Sequence, residues 1–167
     1  MTGRPGGRDT SHQPRRDSMY EERVSDPYRT REKWKEPTVC PDCRAVYHKG
    51  RWAWGVAPQG AHEHRCPACA RIHDKVPAGF LTIKGSFFGE HKDELMHLIR
   101  NHEANEKERH PLERIMGIEE SKEGATITFT GSHLARKTGE ALRDAYQGAL
   151  DIKFSDEDAQ VRVSWSR

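Results

Sequence analysis

The chain has 167 residues, of which 34% are hydrophobic and 32% charged, with a formal net charge of +2 and four cysteines. Such a composition supports one or two small cores and no large one. No apolar run approaches the roughly 18 residues that cross a bilayer, and the first residues lack the apolar stretch of a secretory signal. A cytoplasmic protein with no membrane contact is therefore expected.

Residues 1–38 read as a disordered basic and aromatic arm. They are poor in Leu and Ile and rich in Arg, Asp, Pro, Gly and Ser, so they bury too little apolar surface to offset the entropy of ordering. Residues 1–39 carry nine Lys/Arg against seven Asp/Glu, interleaved with Tyr20, Tyr28 and Trp34. Guanidinium groups and aromatic rings suit phosphates and unpaired bases. The acids scattered among them also suit a plain solvated tail.

Residues 39–85 hold the most specific pattern. Cys40-Pro-Asp-Cys43 and Cys66-Pro-Ala-Cys69 are separated by 22 residues. A two-residue spacer lets both thiolates of a turn reach one ion, and two such turns close a tetrahedral site. The gap is slightly longer than the roughly 15 to 20 residues of the usual pattern. The segment reads as a four-cysteine zinc ribbon with one structural Zn²⁺. Four sulfurs leave no open coordination position, so the site holds structure and does not catalyse. Cys-x-x-Cys also serves thiol exchange, a use in which the motif opens a helix after a strand, and neither pair is expected to stand in such a unit. His62 and His64 are further candidate ligands beside the four sulfurs.

Between the pairs, Val46 and His48 alternate with Tyr47 and Lys49 as in a strand, and Gly50 marks a turn. Trp52 and Trp54, two apart, are expected to share a face next to Lys49 and Arg51. That aromatic surface either shields the metal or stacks on a base. Tyr47, His48, Lys49, Arg51, Trp52 and Trp54 are thus candidate nucleic-acid contacts.

Residues 86–167 change period. Phe88, Leu95, Leu98, Ile99 and His102 fall near helical spacing until Pro111, and the charged half from Asn101 to Arg109 is expected to project into solvent or against a partner. Leu112 to Ile118 and Ala125 to Thr130 predict a hairpin. Ser132 is expected to cap a second helix that places Leu134, Thr138, Ala141, Leu142 and Ala145 on one face and ends near Gly148. Leu150 to Phe154 and Val161 to Trp165 predict two more strands around an acidic turn at residues 156–158. The whole chain is expected to be α+β: an arm, a zinc ribbon, then a small antiparallel sheet with two helices in the order α-β-β-α-β-β.

Enzyme signatures are missing. The sequence has no G-x-x-x-x-G-K-[ST], no H-E-x-x-H, no G-x-S-x-G and no deaminase pattern, in which a proline precedes the cysteine pair.

The cysteine pairs, the string Tyr47-His-Lys-Gly-Arg-Trp52 and the segment His133-Leu-Ala-Arg-Lys-Thr-Gly-Glu-Ala-Leu142 resemble a group of small, largely uncharacterised bacterial zinc-ribbon proteins. More distantly they resemble the nonsense-mediated decay protein three family, the export adaptor of the large ribosomal subunit in archaea and eukaryotes. The resemblance touches roughly residues 40 to 150 in short pieces; that family carries more cysteine pairs and further domains. It implies a ribosome-associated or RNA-associated factor whose contacts fall at Lys49, Arg51, Arg136 and Lys137. The function expected is non-enzymatic, zinc-dependent binding of RNA, ribosomal RNA in particular, with ribosomal protein contacts. The alternatives are a protein-interaction adaptor in transcription or translation, using the acidic helix around Glu103 to Glu108, and a redox-responsive zinc switch.

Overall fold

The structure, a computed structural model, describes residues 26–29, 33–155 and 159–167. Most of the predicted arm, 1–25 and 30–32, lies outside the described residues, as does the acidic turn 156–158. The elements run β1 (Thr38–Val39), β2 (Val46–His48), β3 (Arg51–Ala53), β4 (His62–Glu63), α1 (Pro67–Asp74), β5 (Gly79–Lys84), α2 (Ser86–Arg109), β6 (Ile115–Glu120), β7 (Gly124–Phe129), α3 (Ser132–Tyr146), β8 (Ala149–Ser155) and β9 (Gln160–Ser166). They form an α+β molecule with a four-stranded sheet, β3-β2-β1-β4, and a five-stranded sheet, β6-β7-β5-β9-β8.

The structure differs from the sequence expectation in several places. Within the expected arm, 1–38, the described residues make specific contacts. The Asp26 carboxylate accepts from buried Arg71 at 2.7 Å, and Tyr28 donates its hydroxyl proton to Asp74 at 2.9 Å. Trp34 packs edge-on against Trp52 with ring centroids 5.8 Å apart. An aromatic ring and a buried guanidinium supply local anchors that average composition conceals.

Strand β5 falls within the segment 39–85 expected to be the zinc ribbon, yet it is the central strand of the large sheet. It pairs antiparallel with β7 and parallel with β9, so the sheet is mixed and not wholly antiparallel. Its Leu81 and Ile83 are fully buried while Phe80 and Thr82 are half-buried and Lys84 is exposed, the period-2 pattern of a strand with one covered face. The covering layer is α2 and α3. Phe88, Leu95 and Ile99 from α2 meet Leu134 and Leu142 from α3 over Ile127, Phe129, Val163 and Trp165. Each fully buried large side chain contributes about 1.5–3 kcal/mol.

The second half of α2, expected to project into solvent or against a partner, is exposed on one side and engaged on the other. Glu106 is buried against Lys137 at 3.3 Å, Glu103 accepts the Ile115 N–H at 3.0 Å, and His102 meets Thr138 Oγ1 at 3.0 Å. These three face α3 and β6, while Asn101, Asn105, Glu108 and Arg109 stay exposed on the other side. In α3 the cap residue is Gly131, with Ser132 the first helical position, and the Glu113 carboxylate accepts the Leu134 N–H at 3.1 Å; Gln147, at φ 63°, ends the helix just before Gly148.

Candidate metal centre

Two short strands decide where the cysteines meet. β1 and β4 run parallel, pairing Thr38 with His62 and Val39 with Glu63, so both lead toward cysteine pairs at the same end. After β1 the chain turns at once. The Cys40 N–H donates to the Ala45 carbonyl at 2.8 Å, the Arg44 N–H returns to the Cys40 carbonyl at 2.9 Å, and Arg44 takes a left-handed conformation, φ 68°.

After β4 the second pair opens a helix. Cys66 is the N-cap of α1, its Sγ accepting the Cys69 N–H at 3.4 Å, and Pro67 follows in the first turn, where its fixed φ is already helical. The expectation that neither pair stands at a helix start is therefore corrected for Cys66 and Cys69. The site joins a tight turn to a helix N-terminus, where the macrodipole favours negative sulfur.

The four Sγ atoms lie within 4.8 Å of one another, with Cys40, Cys66 and Cys69 buried and Cys43 half-buried. Cys43 Sγ and Cys66 Sγ stand 3.8 Å apart. A tetrahedron of sulfurs at the zinc–thiolate bond length of about 2.3 Å has edges of about that size. The cluster can hold one metal ion, and its donors and spacing fit zinc. Among the described residues it contains cysteines only. His62 is exposed, and His64 lies edge-on to Trp34 at 4.0 Å between centroids.

The protein biases these thiols unequally. Burial opposes ionisation of Cys40, but the N–H groups of Cys66, Cys43 and Asp42 outweigh it and bring the thiol down to about 7. Burial pushes Cys66 upward despite the N–H of Cys69, and pushes Cys69 upward despite the pull of Arg114. A bound dication holds all its thiol ligands as thiolates through its own charge.

Arg114 is the member of this site that the sequence did not reveal. It stands just before β6, belongs to the large-sheet body, and is buried. Its Nη1–H donates to Cys69 Sγ at 3.2 Å, and Nη2–H reaches Cys43 Sγ at 3.1 Å and Cys66 Sγ at 3.6 Å. Its Nε–H is fixed by the Pro111 carbonyl at 2.7 Å and its main-chain N–H by Thr130 Oγ1 at 2.9 Å. Four thiolates around a dication leave two negative charges, and the guanidinium offsets one of them inside a poorly solvated site. Trp54 and Leu112 close the same seam. The Trp54 ring lies 5.8 Å from the Arg114 guanidinium and its Nε1–H donates to the Lys107 carbonyl of α2 at 2.7 Å, while Leu112 packs on the cysteines.

The candidate nucleic-acid residues separate into distinct settings. Tyr47 is buried, 5.5 Å from the Trp52 ring, and Trp52 packs on the cysteine cluster. Trp54 is engaged with α2. Of the expected aromatic surface, Trp52 packs against Trp34, Tyr47 and the cysteines, and Trp54 against Arg114 and α2. His48, Lys49 and Arg51 are exposed at the β2–β3 turn. Arg136 and Lys137 sit on α3, against Glu140 at 3.9 Å and Glu106 at 3.3 Å. No helix among the described residues is long and apolar enough to cross a membrane.

No family model, curated protein or solved structure matches the chain.

Proposed function

We propose that the protein is a non-enzymatic RNA-binding factor, stapled by one structural zinc and associated with the ribosome, which offers both structured RNA and ribosomal protein contacts. The observation that supports this reading is the β2–β3 turn. Lys49 and Gly50 adopt positive φ of 52° and 77°, and the Glu36 carboxylate accepts both their N–H groups at 3.0 Å each. That turn is therefore pre-set, and it displays His48, Lys49 and Arg51 to solvent only a few residues from the metal ligands. Cations fixed on a small rigid module suit phosphate contacts, because little conformational entropy is lost on binding. The resemblance to the large-subunit export adaptor family points the same way.

Sedimentation of the tagged protein with ribosomal particles, with and without nuclease, tests it. Co-sedimentation that disappears on nuclease treatment, falls steeply with salt and weakens in Lys49→Ala/Arg51→Ala supports the reading. Co-sedimentation that is absent at low salt overturns it.

A second reading, a redox-responsive switch, draws on Cys66 at the α1 N-cap and on its 3.8 Å separation from Cys43. Zinc content before and after mild oxidant distinguishes the two. Release of zinc with loss of the small module's structure supports the switch, and retention excludes it.

A further inference from the structure

Both helices cover one face of the five-stranded sheet, and the register fixes what the other face carries. One row across the strands reads Gly117, Thr128, Phe80, Arg162, Lys153. The next sets the hydroxyls of Thr126, Thr82 and Ser164 between Glu119 and Asp151. Lys84 follows one step beyond Thr82 on the central strand.

We propose that this open face binds single-stranded RNA, with Phe80 stacking on a base and Arg162 and Lys153 holding the adjoining phosphates; the proposal rests on the RNA reading above and assigns its main contact surface. Phe80 is an aromatic ring on the solvent side of the central strand, and the Arg162 guanidinium lies 4.5 Å from its centroid. The guanidinium covers the ring in the free protein, and an incoming base takes its place on the ring as Arg162 turns to the adjoining phosphate. Arg162 and Lys153 are paired across β9 and β8 and both are exposed. Lys153 has Asp151 at 3.6 Å, a solvent-exposed pair that a phosphate can replace.

The chemistry of the face selects the occupant. Phe80 is the one large apolar side chain in the two rows, so a docking helix or second sheet would find too little apolar area to bury. The remaining groups are hydroxyls, a pair of cations in one row and two carboxylates in the other. Those groups match bases, ribose hydroxyls and phosphates laid across the strands from β8 to β5. An open sheet face with a central aromatic is also a surface that unpaired bases reach and a duplex, whose bases are stacked away, does not.

The test is fluorescence anisotropy of a short labelled oligouridine titrated with the full, zinc-loaded chain at low salt. Phe80→Leu keeps the apolar volume and loses the ring; it is expected to weaken binding about tenfold or more, with Phe80→Trp binding as the parent does. Arg162→Ala is expected to weaken binding and to lower the salt slope by about one. Lys49→Ala/Arg51→Ala separates the two surfaces. If that variant loses oligouridine binding while Phe80→Leu and Arg162→Ala retain it, RNA binding stands and the face assignment falls. Equal competition by a duplex of the same length also overturns the assignment. Absence of binding by the parent chain overturns both.

Discussion

The Arg114 guanidinium donates to Cys43 Sγ at 3.1 Å across 71 positions of sequence. The bond joins the large-sheet body to the turn that carries the first cysteine pair. Its partner bond to Cys69 reaches the helix that carries the second pair. The cysteine cluster is thus a shared feature of both bodies, and half of its net charge is offset by a residue that coordinates nothing.

Arg114→Gln should lower zinc affinity about 10- to 100-fold, the usual effect of removing a hydrogen-bond partner from metal ligands. It should also destabilise the loaded protein by about 3 kcal/mol, since a buried ionic partner is lost. Competition with a chromophoric chelator and urea unfolding measure the two effects. Unchanged affinity together with unchanged stability would remove Arg114 from the site.

Stripping the metal should unfold the small module and spare the large sheet. The cysteine cluster buries few apolar groups of its own, whereas the other core is made of Leu, Ile, Val, Phe and Trp side chains. Hydrogen exchange on chelator-treated protein should lose protection over residues 38–74 and keep it over β5, β7 and β9. Uniform loss across both regions would contradict this division.

His102 should make stability fall with acid. Burial beside Thr138 holds its imidazole below the ordinary value, with the charge of Lys137 adding to the effect and Glu106 opposing it. The folded state therefore favours the neutral ring. This contribution is complete above the unfolded value of about 6.5 and is lost as pH falls through it toward the folded value. Urea unfolding of parent and His102→Gln on either side of about pH 6.5 should give a smaller acid loss for the variant. Parallel curves would count against His102. Glu106, held below the carboxylate range by Lys137 despite its burial, titrates outside this window.

Gly79→Val should cost about 1–3 kcal/mol, as overpacking does in a close-packed core. A Cβ at Gly79 would stand 2.6 Å from Ala135 Cβ and 2.9 Å from the Gly131 carbonyl. Thermal unfolding checks it, and a variant as stable as the parent would mean that α3 lifts freely from β5.

Local patterns carried much of the fold. The helices Ser86–Arg109 and Ser132–Tyr146, the hairpin of β6 and β7, and the closing strands follow from periodicity and turn residues that lie side by side in the chain. The four cysteines were legible for the same reason, since two-residue spacers make each pair a local unit. Aromatic roles were less so. Two tryptophans two apart predict a common surface, but their partners, the cysteines for Trp52 and Arg114 and Lys107 for Trp54, lie too far along the chain for local pattern to name.

By itself the sequence determined a four-thiol site, an α+β composition and the order of the elements after residue 85, all of them set by neighbours within a few residues. Tertiary structure alone decided that β5 is the centre of a mixed sheet and that Arg114 enters the thiol cluster. Parallel pairing to β9 and an N–H···S bond from a distant loop leave no periodic mark, because their partners are set by chain closure across the molecule. The open row of Phe80, Arg162 and Lys153 arises from that same closure.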